Sequence, residues 1–325
     1  MLNTLIYIIG FILSMVVTCI VMPFYIKKLK EHNINQSVSE YALDEYKNKA
    51  KTPIMGGLIF VVVPLIIYFV LLNKKAISSP LCNLVIVSFI GFCLVGFADD
   101  LMIILRHNNE GLSPRLKLIL EFVITVVIYF VFFNGQKYFM IDVPFINGGV
   151  EVSCFIFLPF MVLLYLAEAN AVNFTDGMDG LCAGVSLIGL IAFGVIAYIN
   201  GETSILLLIL CVIGGLVGYL FFNFHPAKIF MGDSGSLALG ALFASIAIAL
   251  NSEIALFVIG GVFVIEMFCV CLQLTCVKLF HKRVFSYTPI HYAFVLKGNS
   301  EVKVVLGFYA LAIILGIIGL LLGIS

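Results

Sequence analysis

Ten apolar stretches, each close to the length of a membrane-crossing helix, constrain this chain more than any other feature. About 20 residues of α-helix cross the roughly 30 Å hydrocarbon layer of a bilayer. The chain is 62% hydrophobic and 11% charged, whereas soluble domains are about 45–50% apolar and 25% charged. We therefore expect an all-α integral membrane protein with about ten transmembrane helices in a single polytopic domain, 1–325. The predicted spans are 5–24, 56–73, 81–98, 117–134, 153–171, 181–200, 203–222, 234–250, 254–277 and 304–323.

Lysine and arginine residues are distributed unevenly among the connections between these spans. Odd-numbered connections carry 15 of the 18 basic residues, and even-numbered connections carry 3. Cytoplasmic loops carry the excess of Lys and Arg in membrane proteins. The first span has no basic residue before it and Lys27, Lys28 and Lys30 after it, which is typical of a retained anchor and not of a cleaved signal peptide. We expect both termini outside and every odd connection in the cytoplasm.

Four polar islands interrupt the apolar pattern after the third, fifth, seventh and ninth spans. All four fall on the cytoplasmic side of the predicted topology, whereas unrelated loop residues would fall on both sides. We therefore expect one shared cytoplasmic cleft. Its members are Asp99, Asp100, Asn173, Asp176, Asp179, the stretch from Asn223 to Asp233, and His291.

The stretch 170–180 is the densest of these islands. Asn173, Asp176 and Asp179 recur every three residues, which predicts neighbouring positions on one helical turn. Two glycines between and after them let backbone approach a ligand closely. A solvated loop is the alternative interpretation of an isolated Asp-Gly pair.

Carboxylates at a membrane-spanning helix cost free energy unless something compensates for their charge. A hard cation such as Mg²⁺ takes one or two carboxylates and fills its remaining positions with water and phosphate oxygens. Asp99 and Asp100 are candidates for such a site, and Asp233 is a third. Asp233 opens a predicted helix, so an N-cap role is also consistent with its position.

Several further residues are weaker candidates when each is taken alone. Lys49 and Lys117 are suited to hold diphosphate oxygens as point charges, and Phe230 is suited to stack a base. Lone lysines more often mark topology, and lone aromatic residues more often pack. His291 lies in a basic loop where an anion is favoured, and Glu266 lies within the ninth span, where we assign it no catalytic role.

Nucleic-acid binding is not expected, because the net charge is zero and the basic residues form no continuous patch. Dinucleotide-binding and P-loop glycine patterns do not occur in the sequence. Six other motifs do follow one another along nearly the whole chain. They are Lys49-x-x-Thr-Pro-Ile-Met-Gly-Gly57, Gly-Phe-Ala-Asp-Asp100, Gly-Leu-Ser-Pro-Arg-Leu-Lys117, Asn170-Ala-Val-Asn-Phe-Thr-Asp-Gly-Met-Asp-Gly180, Asn223-x-x-Pro-Ala-Lys-Ile-Phe-Met-Gly-Asp233 and Ser-Glu-Val-Lys-Val-Val305.

On these motifs the chain resembles the polyprenyl-phosphate N-acetylhexosamine-1-phosphate transferase superfamily, also called glycosyltransferase 4. It is most similar to the branch that acts on UDP-N-acetylmuramoyl-pentapeptide. The resemblance implies a Mg²⁺-dependent transferase of a bacterial inner membrane. In the implied reaction, undecaprenyl phosphate attacks the β-phosphate of the UDP conjugate, releases UMP and leaves lipid I. Such phosphoryl transfer needs mainly positioning and charge neutralisation.

The resemblance also implies roles for the polar residues. Asp99 and Asp100 handle the carrier phosphate or the metal, and Asp233 binds the metal. Asn173, Asp176 and Lys117 contact the uridine diphosphate part, and Phe230 lies near uracil. The implied catalytic residues are Asp99, Asp100, Asp176 and His291; the implied substrate-binding residues are Lys49, Lys117, Asn173, Asp179, Asn223 and Phe230; the implied metal ligands are Asp233 and Asp176.

One segment departs from the superfamily pattern. Three consecutive histidines followed by Phe-Glu are usual in the last cytoplasmic loop, whereas this chain has Pro289-Ile-His-Tyr-Ala-Phe-Val295. Alternatives therefore include a transferase for another UDP-N-acetylhexosamine and a homologue that binds without turnover. A secondary transporter is a further alternative, although transporters place ionisable groups near the midplane of repeated halves. The sequence leaves a homodimer open.

The topology yields the first testable prediction. Single cysteines at positions 36, 108 and 298, in a background without the nine native cysteines, should react only with a reagent applied from the cytoplasm. A cysteine at position 148 should react only from outside. Reaction of positions 108 and 148 from the same side would contradict the shared cytoplasmic cleft.

Overall fold

The computed structural model describes residues 2–32, 34, 52–72, 79–106, 111–144 and 148–324. This part of the chain forms twelve helices and one two-stranded hairpin. The helices are α1 (Leu2–Glu31), α2 (Gly57–Leu71), α3 (Pro80–Arg106), α4 (Pro114–Phe133), α5 (Cys154–Thr175), α6 (Leu181–Ile199), α7 (Thr203–Asn223), α8 (Asp233–Ala249), α9 (Glu253–Ile259), α10 (Gly261–Phe280), α11 (Ile290–Leu296) and α12 (Glu301–Gly323); the strands are β1 (Tyr138–Ile141) and β2 (Val150–Ser153).

Eight helices among the described residues are long and apolar enough to cross a membrane. They are α1, α3, α4, α5, α6, α7, α10 and α12, while α2 and α8 are apolar but only 15 and 17 residues long. All ten predicted spans overlap helices of the structure. The chain is thus an all-α integral membrane protein, as predicted, and the orientation of its termini stays a prediction.

Helix α8 is the centre of the bundle. Every residue from Ser234 to Ala249 is buried, and α8 packs mainly against α3 and α5. A helix that is apolar on all sides lies either in the core of a protein or in the hydrocarbon of a membrane. The small side chains of α8 allow its neighbours to approach closely, as is usual between membrane helices. The first residue of this central helix is Asp233.

Close packing fixes the start of α8 against α3. A Cβ atom added to Gly96 of α3 would lie 2.0 Å from the carbonyl oxygen of Asp233. Similarly, a Cβ atom on Gly57 would lie 2.3 Å from the backbone of Gly235. Only glycine permits these backbones to touch, so helix packing determines where Asp233 lies.

Three parts of the fold differ from the sequence-based predictions. The predicted ninth span is divided at Gly260 into α9 and α10. Helix α3 continues to Arg106, so Asp99 and Asp100 lie within a helix and not after it. The connection predicted as a loop between the fourth and fifth spans contains the antiparallel hairpin of β1 and β2.

Substitution of Gly96 tests the importance of the contact between α3 and α8. Because Gly96→Ala forces a methyl group into the Asp233 backbone, we expect a lower thermal midpoint of unfolding, equivalent to about 1–3 kcal/mol of overpacking. Gly91→Ala on the same helix is the control, since its Cβ would meet only the Ile124 side chain, at 3.0 Å. Equal midpoints in detergent for the two variants would contradict this account.

Candidate active site

The Asp100 carboxylate binds the first turn of α8. Its two oxygens accept hydrogen bonds from the backbone N–H groups of Asp233, at 3.0 Å, and Ser234, at 3.1 Å. Asp100 is 2% exposed, and its charge lies at the positive end of the helix dipole. Gly232 is the N-cap residue, with a φ of 74°. The interpretation of Asp233 as an N-cap is therefore wrong, because a carboxylate from α3 satisfies these donors instead.

The Asp233 side chain points away from its own helix start and collects partners from two other helices. One carboxylate oxygen accepts a hydrogen bond from the Lys117 amine of α4. The other accepts a hydrogen bond from the Asn173 amide of α5, at 2.7 Å. The same amide nitrogen donates to the Ser236 hydroxyl, at 2.9 Å. Residues from three sequence motifs thus meet at one carboxylate.

Asp99, Asp100 and Asp233 form one cluster of carboxylates. An oxygen from each lies within 4.8 Å of the others. Asp99 is held in place by a hydrogen bond from the Leu112 backbone N–H, at 2.9 Å. Oxygen ligands of this kind suit a hard cation such as Mg²⁺. The donor set therefore fits the predicted Mg²⁺, which itself stays a prediction; of the two predicted ligands, Asp233 belongs to this cluster.

Asp176 lies beside this cluster but is not one of the three residues whose ligand atoms converge. Helix α5 ends at Thr175, where the Asp176 N–H donates to the Asn173 carbonyl oxygen at 3.1 Å. The prediction that Asn173, Asp176 and Asp179 share one helical turn is therefore wrong. Burial, followed by the nearby carboxylates of Asp233 and Asp100, raises the pKa of Asp176 to about 8. Its catalytic and metal-binding roles stay predictions.

Asp179 belongs to a second polar cluster. One of its oxygens accepts from the Ala227 N–H at 3.0 Å and lies 3.0 Å from His225 Nδ1. Its own backbone N–H donates to a Glu301 oxygen, at 2.9 Å. Sequence reasoning missed His225 and Glu301 as members of the site. The signal for Glu301 was its place in the last of the six motifs, and His225 lies within the island from Asn223 to Asp233.

Asn223 joins the two loops that border the site. Its amide oxygen accepts from the Gly180 N–H and its amide nitrogen donates to the Ile229 carbonyl, both at 3.0 Å. Asn223 is 3% exposed, so its side chain positions backbone in this structure. Phe230 pairs through its backbone with the segment 53–56. Substrate contacts of Asn223 and Phe230 stay predictions, and Lys49 lies outside the described residues.

Glu266, to which we assigned no catalytic role from the sequence, holds His291. One Glu266 oxygen lies 3.1 Å from His291 Nδ1, and the other accepts from the Ile290 N–H at 2.8 Å. Both side chains have no exposed surface. His291 Nε2 has no hydrogen-bond partner among the described residues, and it faces Gly177, where a Cβ atom would lie only 2.3 Å away.

Tyr292 supports the same loop. Its hydroxyl donates to the Gly177 carbonyl oxygen, at 2.8 Å. Burial raises the pKa of Tyr292 above its ordinary value, so the hydroxyl keeps its proton. By the resemblance, Tyr292 stands where the superfamily pattern has its second histidine. In this chain it therefore braces the segment that carries Asp176.

Comparisons with known proteins show the family of the chain. The family described as glycosyl transferase family 4 matches residues 82–251. Phospho-N-acetylmuramoyl-pentapeptide-transferase of Staphylococcus saprophyticus is 40% identical over 317 residues, which cover 97% of this chain and 98% of the relative. The protein of the same name in Staphylococcus aureus is 40% identical over 320 residues, covering 96% and 98%. The family match includes both aspartate motifs of the carboxylate cluster but ends before His291.

Exchange of Glu266 for glutamine tests how His291 is oriented. A carboxylate accepts from both Ile290 N–H and His291 Nδ1–H, whereas an amide has one acceptor and one donor. If the amide oxygen keeps the Ile290 N–H, its NH₂ group faces Nδ1 and moves the proton to Nε2. We expect Nδ1–H in the unmutated protein and Nε2–H in Glu266→Gln, by ¹⁵N NMR of the imidazole.

The spectrum of His291→Gln identifies the His291 signals for this measurement. Glu151→Gln, an exposed position on β2, is the matched control and should leave these signals unchanged. The same tautomer in the unmutated protein and in Glu266→Gln would show that Glu266 does not orient the ring.

Proposed function

The chain belongs to glycosyl transferase family 4, and from that premise we propose that it transfers phospho-N-acetylmuramoyl-pentapeptide from its UDP conjugate to undecaprenyl phosphate. The products are lipid I and UMP, and the reaction serves peptidoglycan synthesis at a bacterial cell membrane. The observation that carries the proposal is the cluster of Asp99, Asp100 and Asp233 with Lys117 at one site. The names of the relatives support the choice of substrate.

Charge balance in the cluster supports a divalent cation. Among the described residues, the three carboxylates face one amine, that of Lys117, and the N-terminal dipole of α8 adds roughly half a positive charge. When bound, Mg²⁺ supplies charge neutralisation for the diphosphate and its leaving group. Asp99, Asp100 and Asp233 are the residues that would hold it. Asp100 also keeps Asp233 in position through the start of α8.

The remaining side chains are suited to position the two substrates. Lys117 neutralises Asp233 and adds positive charge where diphosphate oxygens bind. The amide nitrogen of Asn173 is occupied by Asp233 and Ser236, which leaves its amide oxygen to accept from the uridine part. The apolar surface around the site accommodates the polyprenyl chain in the bilayer. Positioning of this kind is the larger part of catalysis in phosphoryl transfer.

His291 acts in this proposal through the loop from Asp176 to Gly180. Its Nε2 atom is buried beneath Gly177, so contact with a substrate requires this loop to move. With Nδ1–H bound to Glu266, the Nε2 lone pair is the free acceptor of the ring. We assign it the role of accepting a hydrogen bond or a proton from the sugar-linked part of the substrate.

The replacement of two histidines by Tyr292 and Ala293 supports a second candidate function. Tyr292 binds the Gly177 carbonyl oxygen, and neither residue offers a second imidazole for substrate recognition. The alternative is the same phosphotransfer with another UDP-N-acetylhexosamine. Membership in a family of transferases disfavours the transporter. A homologue that binds without turnover is distinguished from both enzymes by the assay below.

Replacement of Asp233 by asparagine tests the proposed metal site. The change removes one charge at nearly constant volume, so the protein should keep its thermal midpoint while losing UMP release by about 100-fold or more. The assay uses purified protein, undecaprenyl phosphate, Mg²⁺ and either UDP-N-acetylmuramoyl-pentapeptide or other UDP-N-acetylhexosamines. UMP is measured by chromatography.

Asp142→Asn is the matched control for this experiment, because it makes the same change at an exposed carboxylate beside the hairpin. It should release UMP at the unmutated rate. Activity of Asp233→Asn within threefold of the unmutated protein would remove Asp233 from the proposed ligands. If the unmutated protein released no UMP from any UDP-sugar, our proposal would be wrong and the chain would be a non-catalytic homologue.

A further inference from the structure

A groove outside the carboxylate cluster opens between α10, α11 and α12. It has a volume of about 310 Å³ and is lined mainly by apolar side chains. Neighbouring residues of α10 and of α11 contribute in turn to this groove and to the candidate active site. Ile265 and Ile290 line the groove. The next residues along the chain are Glu266, which contacts His291, and His291, which faces the loop at Gly177. The groove therefore adjoins the part of α10 and α11 where Glu266 contacts His291.

The polarity of the groove changes along its length. Lys303, Gly307 and Leu311 line it from one side of α12, and four-residue spacing places them on one helix face. Eight residues of helix span about 12 Å. The Lys303 end, together with Asn299, is polar, and the Leu311 end lies towards the apolar interior. One end thus suits a polar head group and the other suits a hydrocarbon chain.

The polar end is basic and lies on the same side of the bundle as the active-site loop. Glu301, two residues before Lys303, accepts a hydrogen bond from the Asp179 N–H. Lys297 lies beside the groove, with its amine 5.9 Å from the centroid of the Phe294 ring. Among the described residues, no carboxylate lies within 4 Å of either lysine amine. An anion at this end would therefore meet two lysine charges.

We propose that this groove binds an anionic phospholipid of the surrounding membrane. Its phosphate lies at Lys303 and Lys297, and one acyl chain lies along Gly307 and Leu311. Basic pockets between membrane helices bind anionic head groups, and each lysine near a lipid phosphate contributes to the preference over a neutral lipid. The bound lipid contacts α10 and α11 next to the pair of Glu266 and His291 and stabilises the packing of these two helices. Binding itself does not depend on the transfer reaction.

Tryptophan fluorescence provides a direct test, because the chain contains no tryptophan. Phe294→Trp places a single fluorophore in the groove wall, at a side chain that is 39% exposed. Phosphatidylglycerol and phosphatidylcholine with brominated acyl chains, titrated into the purified full-length protein in neutral detergent, quench a tryptophan that they touch. We expect phosphatidylglycerol to quench at about fivefold lower concentration, and Lys303→Gln in the same background to remove most of that difference.

Ile313→Trp is the matched control, since this side chain is exposed on α12 away from the groove. The two lipids should quench it equally. Equal quenching at position 294, or a preference that persists when both Lys297 and Lys303 are changed to Gln, would overturn the proposal. Unbrominated undecaprenyl phosphate is added as a competitor. If it relieved quenching at lower concentration than unbrominated phosphatidylglycerol, the groove would be assigned to the carrier instead.

A second measurement keeps the test independent of the tryptophan variant. A Cβ atom at Gly307 meets no atom within 4 Å, so the backbone of α12 admits a side chain there, and Gly307→Leu places that side chain in the groove. By native mass spectrometry, the unmutated protein should retain phosphatidylglycerol, and Gly307→Leu should lose it. Ala310→Leu introduces the same side chain at an exposed position of α12 and should retain the lipid. Equal retention by both variants would contradict the assigned groove.

Discussion

The two hydrogen bonds from the start of α8 to the Asp100 carboxylate are the interaction on which the rest of the site depends. Hydrogen bonds to a charged group each contribute about 1.5–3 kcal/mol to stability. They also satisfy N–H groups that a helix leaves free in its first turn. Because the bundle encloses α8 on every other side, fixing its first turn fixes Asp233. Lys117 and Asn173 then reach Asp233 from α4 and α5.

The loop from Asp176 to Gly180 is held by contacts from three other parts of the chain. Asn223 accepts from the Gly180 N–H, and Tyr292 donates to the Gly177 carbonyl oxygen. Its Asp179 side chain binds the segment before α8, and its backbone binds the start of α12. Every backbone group that is held reduces the conformational entropy left to lose when a ligand binds. In the conformation that these contacts hold, the loop covers His291 Nε2, so they oppose the movement that brings His291 to a substrate.

Sequence alone predicted the helices and the convergence of the polar islands, because span length and charge bias follow from the bilayer itself. It did not predict which side chains would be partners. Local propensity favours an aspartate at the start of a helix as the N-cap of that helix. In α8, however, the acceptor for the first N–H groups is the carboxylate of Asp100, 133 residues away from Asp233. Likewise, three-residue spacing suggested one helical turn for Asn173 and Asp176, but the helix ends between them. The pair of Glu266 and His291 depends on the packing of α10 against α11, which carries no sequence signal.

The charge of the carboxylate cluster connects its structure to its chemistry. Among the described residues, one lysine and a helix dipole face the three carboxylates of the cluster, which leaves an excess of negative charge there. The same excess of negative charge attracts a divalent cation. A cation that is bound by both protein carboxylates and substrate phosphates replaces the repulsion between these groups with attraction to the cation. Rigid packing by Gly96 and Gly232 prevents the carboxylates from moving apart to relieve the repulsion. The fold therefore holds an excess of negative charge at the point where we expect an anionic substrate to bind. Binding of the cation and binding of the substrate should each strengthen the other.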